Sequence, residues 1–103
     1  MQVFNLLNTE IYNMGYKDWK MNIKFLTEKM WEYWGASDRN ETEKKEVLRK
    51  EFFEMFDKLE GPEENFHHVQ EIRAKIVRDM DANENNSIVA ASYIRDLVIF
   101  GYQ

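Results

Sequence analysis

The chain has no cysteine, one proline, four glycines and two histidines in 103 residues. Without cysteine there is no disulfide, no thiolate zinc site, no iron–sulfur cluster and no thiol nucleophile. So little glycine and proline cannot supply the many turns of a β-sandwich or barrel, and β-branched residues are sparse beside Glu, Lys, Met and Leu. The two histidines are neighbours, His67 and His68, which leaves poor material for a nucleophile–base triad, so an enzyme is not expected. No apolar run approaches the roughly 18 residues that a membrane span needs. Residues 1–16 hold no Lys or Arg, so the basic start of a secretion signal is missing and a cytoplasmic protein is expected. Fourteen basic against nineteen acidic side chains leave a net charge of −5, which disfavours a nucleic-acid partner held by bulk charge.

What is present is core material. Of the residues, 44% are hydrophobic and 15% aromatic, enough for one interior in a 12.5 kDa chain and inconsistent with disorder. An all-α domain over residues 19–103 is predicted, preceded by an extension, residues 1–18, in which Phe4, Leu7, Ile11 and Met14 fall at helical spacing. Apolar positions recur at three and four from Trp19 to Trp34, with Gly35 placed as a C-terminal cap. A second stripe, Val47, Leu48, Phe52, Met55, Phe56 and Leu59, predicts a helix over residues 43–60, with Glu46/Lys50 and Glu54/Lys58 as outer pairs. Pro62 suits a first helical position for a third helix carrying Phe66, Val69, Ile72, Ile76, Val77 and Met80. Tyr93, Ile94, Leu97, Val98 and Phe100 mark a short fourth.

The most specific stretch runs from Asp81 to Ser92, between the third and fourth helices. Asp81, Asn83 and Asn85 stand at the first, third and fifth places of a twelve-residue calcium loop, Ser87 at the seventh, Asn86 where positive φ is required, and Ser92 at the closing place. This stretch resembles an EF-hand loop, and the resemblance implies a counterpart, met as fourteen residues from Asp38 to Glu51, with Val47 placed to pair with Ile88 across a short strand. Together these segments resemble the EF-hand superfamily, and the enlarged first loop is similar to the small dimeric calgranulin and psoriasin type. The resemblance implies a four-helix paired domain, a homodimer through the first helix and part of the fourth, and a target cleft lined by Leu59, Phe66, Val69, Ile76, Tyr93, Leu97 and Phe100. Ser92 replaces the bidentate Glu, so Asp81, Asn83, Asn85, Ser87 and Ser92 form a degenerate metal loop with weak calcium binding at best. The same residues also read as a polar connection built on Asx turns, with Ser87 capping a helix.

Glu64, His67, His68 and Glu71 share part of one helix surface, a spacing that can hold a metal but is ordinary for a solvated helix start. Phe52 with Phe53, and Trp31 with Tyr33 and Trp34, place aromatics on more than one helix face, so part of this surface is expected to meet another chain. The functional expectation is a calcium-independent protein-interaction module or adaptor with no cofactor. The alternative is a small acidic helical inhibitor or immunity-type protein that blocks one macromolecule.

Overall fold

The computed structural model describes residues 21–103. The amphipathic stretch expected within residues 1–18 lies outside them. The described residues form four α-helices and no strand: α1 (residues 21–38), α2 (Thr42–Phe56), α3 (Phe66–Asp81) and α4 (Ser87–Ile99), with a single 3₁₀ turn, Glu63–Asn65, ahead of α3. The all-α expectation therefore stands. No described helix is long and apolar enough to cross a membrane.

Each helix contributes residues of its predicted stripe to one core, joined by Tyr33, Ala36 and Ala90, whereas Val47 and Phe66 of those stripes stay exposed. Leu26, Met30, Tyr33, Trp34 and Ala36 come from α1, and Leu48, Phe52 and Phe56 from α2. Val69, Ile72, Ile76 and Met80 come from α3, and Ala90, Ile94 and Leu97 from α4. Spacings of three and four keep these side chains on one face, so each helix buries a stripe and solvates the rest. Fully burying one such side chain is worth about 1.5–3 kcal/mol. Ion pairs stitch the helices outside the core. Lys29 of α1 meets Glu51 of α2 at 3.2 Å. Asp57, just past α2, takes both Nε and Nη2 of Arg73 at 2.8 and 3.0 Å, while that guanidinium lies over the Phe53 ring.

Three helices end by one device. Asn40, Asn83 and Gly101 have φ of 59°, 55° and 80°. After α1, the amide of Glu41 donates to the Ala36 carbonyl and that of Asn40 to Ser37. After α3, Glu84 donates to Asp79 and Asn83 to Met80; after α4, Tyr102 donates to Leu97 and Gly101 to Val98. These are Schellman caps, which satisfy the last carbonyls of a helix through one left-handed residue. Two expectations are corrected here. The first helix does not stop at Gly35, where the Arg39 guanidinium covers the bare backbone, but runs on to a left-handed Asn40. Positive φ falls on Asn83, not on Asn86, whose φ is −112°.

The Gly61-Pro62 connection is fastened to the chain end. Glu60 and Gln103 exchange backbone hydrogen bonds at 2.9 and 3.0 Å, and the Tyr102 hydroxyl donates to the Pro62 carbonyl at 2.8 Å. Pro62 is not the first residue of α3, as predicted, but precedes the 3₁₀ turn. A Cβ on Gly61 would lie 2.5 Å from Tyr102 Cδ1 and 2.6 Å from the Gly101 carbonyl oxygen, so only glycine allows this approach.

Candidate functional site

The bends after α1 and α3 lie side by side. Ser37 Oγ donates to Asn83 Oδ1 at 2.8 Å and Lys45 Nζ donates to the same oxygen at 3.0 Å. Asn85 Nδ2 reaches the Asp38 carboxylate at 3.2 Å, and Arg49 Nη1 donates to Asp81 Oδ1 at 2.7 Å. The Asp81 bond holds the Arg49 guanidinium more firmly protonated than usual. Both bends carry the same residues, Asp-x-Asn-Glu, at 38–41 and 81–84, with the aspartate last in its helix and the asparagine left-handed. That short repeat was the available signal for both helix ends, and spacing of apolar residues cannot reveal it.

The residues of the degenerate loop are in place but turned to other partners. Asp81 and Asn83 give their oxygens to Arg49 and Lys45, cations standing where a metal ion would need open ligands. Asn85 Oδ1 accepts the backbone N–H of Ser87 at 3.1 Å, the Asx turn of the polar-connection reading. Ser87 opens α4 instead of capping it, and Ser92 is a half-buried residue within that helix. The fourteen-residue first loop is corrected too, because α2 begins at Thr42 and takes in Lys44, Lys45, Val47 and Glu51. Val47 and Ile88 are both helical and 56% and 80% exposed, so the expected strand contact between them does not form.

The predicted target cleft is largely closed. Val69, Ile76 and Leu97 are 3%, 2% and 0% exposed, because these stripes are buried in the shared core. Leu59, Tyr93 and Phe100 are half-buried, and only Phe66 stands out at 54%. Of the aromatics expected on several faces, Tyr33, Trp34 and Phe52 are core while Trp31 stays exposed. Burial pushes the Tyr33 hydroxyl above the usual tyrosine range, with the neighbouring Arg49 charge opposing.

Concavity appears instead along the outer side of α3. An open trough of about 670 Å³ is lined by the small or apolar Ala74, Val77 and Ala82 together with Gln70, Arg73, Arg78 and Asp81. Ala74 and Val77 stand three apart on α3 and Ala82 directly follows its end, and no sequence signal separates such a surface from ordinary solvated helix. A smaller hollow of about 250 Å³ lies among Met21, Lys24, Phe25 and Glu28 on the outer side of α1, the face that also carries Trp31. At the start of α3, ligand atoms of His67, His68 and Glu71 lie within 4.8 Å of one another. Comparison with protein-family models, curated proteins and solved structures returns no match.

Proposed function

We propose that the protein is a non-catalytic interaction module that receives a segment of a partner protein in the trough along α3, without a calcium gate. The observation that carries this reading is the trough, whose lining combines Ala74, Val77 and Ala82 with Arg73, Arg78 and Asp81. Its volume suits a few side chains of a docked segment, and with two arginines against one aspartate its lining suits an apolar segment that carries a carboxylate. Asp57 fixes the Arg73 fork beforehand, so less entropy is lost when a partner docks. The test is partner capture from the native host by wild type, Ala74→Glu and Arg78→Glu. Both substitutions sit on exposed helix positions and should leave the unfolding midpoint unchanged. A partner held by wild type and released by both variants is expected; equal capture by all three contradicts the trough as the docking surface.

Two further parts of this reading rest on separate observations. The helix–bend–helix units α1–α2 and α3–α4, with equivalent caps at Asn40 and Asn83 and bends in contact, support a distant EF-hand-like pairing, although Val47 and Ile88 depart from it. The exposed Met21 and Trp31 on α1, 65% and 47% accessible, support a homodimer through that helix. Sedimentation should then show a dimer that Trp31→Ser weakens, and a monomer at high concentration removes this part.

A further inference from the structure

We propose that His67, His68 and Glu71 form a binding site for a divalent transition-metal ion such as Zn²⁺. The two imidazoles and the carboxylate project from the first two turns of α3, and their ligand atoms lie within 4.8 Å of one another. The imidazole rings sit side by side, centroids 3.9 Å apart. His68 is held from its other side by the Phe100 ring, stacked at 4.6 Å and only 8° from parallel. That stack fixes one ligand before any metal arrives, because rotation of the imidazole would break it.

Zinc bound to imidazole nitrogen and carboxylate oxygen at about 2.0–2.2 Å needs donors about 3.4 Å apart in a tetrahedron. Closing the remaining gap requires only side-chain rotations of His67 and Glu71, both exposed and unconstrained by the core. The chemistry of the donors selects the ion: two imidazoles with one carboxylate favour zinc, nickel or copper over calcium and magnesium, which prefer oxygen alone. The positive end of α3 disfavours a cation there, and Glu63 and Glu64 in the preceding 3₁₀ turn offset it. Three protein ligands leave one coordination position open. His68 and Glu71 also line a hollow of about 170 Å³ with Lys75, Asp96 and Phe100, roomy enough for a water or a small anion.

His67 and His68 are the only histidines of the chain and it has no cysteine, so removing them removes every imidazole. The test is calorimetric titration of the untagged full chain with ZnCl₂, alongside Co²⁺ absorption as a report of coordination geometry. Expected is saturation at one ion per chain with the intense visible bands of tetrahedral cobalt. His67→Ala and His68→Phe should each weaken binding by about tenfold or more, and Glu71→Gln by less. His68→Phe keeps an aromatic ring against Phe100, and an unchanged unfolding midpoint for each variant shows that the fold survives. Binding of equal affinity in the variants overturns the site, as does an absence of saturable binding or half an ion per chain with a doubled mass.

Discussion

Replacing Asn83 by glycine separates two roles that one residue holds, and Asn40 provides the control. Both asparagines sit at positive φ, 55° and 59°, where glycine is at ease and asparagine only tolerated. At Asn40 the side chain has no hydrogen bond among the described residues, so Asn40→Gly exchanges a small relief of strain for extra freedom in the unfolded chain. A net change within about 0.5 kcal/mol is expected. At Asn83 the same exchange also removes the acceptor for Ser37 and Lys45. These bonds are exposed, so each contributes toward the low end of the usual range, about 0.5–1 kcal/mol. Asn83→Gly should therefore be less stable than Asn40→Gly by about 1–2 kcal/mol, and its melting midpoint lower by roughly 4–15 °C for a domain of this size. Urea unfolding followed by Trp fluorescence gives both values. Ser37→Ala in the Asn83→Gly background should cost less than in wild type, because its partner is already gone. If the two glycine variants unfold together, or Ser37→Ala costs the same in both backgrounds, the bends are not pinned to each other.

Gly61→Ala should destabilise by about 1–3 kcal/mol through overpacking against Tyr102 and Gly101, read as a lower urea midpoint; an unchanged midpoint would show that the chain end is not clamped there. Burial of Tyr33 disfavours its phenolate, so the unfolded tyrosine ionises near the usual pH of about 10 while the folded one still holds its proton. Its contribution is present below that pH and is lost as pH rises beyond it, so stability of wild type should fall faster than that of Tyr33→Phe above about pH 10; parallel curves contradict this. Millimolar calcium should leave Trp fluorescence unchanged, since Arg49 and Lys45 hold the oxygens of Asp81 and Asn83, and a saturable micromolar response would show those contacts give way.

The helices were readable because Leu48, Phe52 and Phe56, or Val69, Ile72, Ile76 and Met80, repeat at the period of an α-helix and are buried together. The helix ends were less so. Gly35 looked like a stop, yet a glycine inside a helix costs only about 1 kcal/mol, and Ala36 beyond it is fully buried. The loop from Asp38 to Glu51 failed for a related reason: Thr42 to Glu51 has good helix formers and a buried Leu48, and packing outweighed a motif spacing. The resemblance places Val69, Ile76 and Leu97 in a target cleft, but sequence cannot say whether such apolar positions face a partner or the neighbouring helix, and in the fold they are buried. The trough is lined by residues 70–82 alone, and the Arg73 fork in it is held by Asp57, a contact across 16 positions that no local pattern encodes.

Hydrogen–deuterium exchange of the protein alone and with its captured partner tests the docking surface most directly. Slowed exchange confined to residues 70–82 of α3, with the bend at 37–41 and the core stripe of α4 unchanged, is the predicted footprint. Protection elsewhere, with residues 70–82 exchanging as fast as in the free protein, would contradict it.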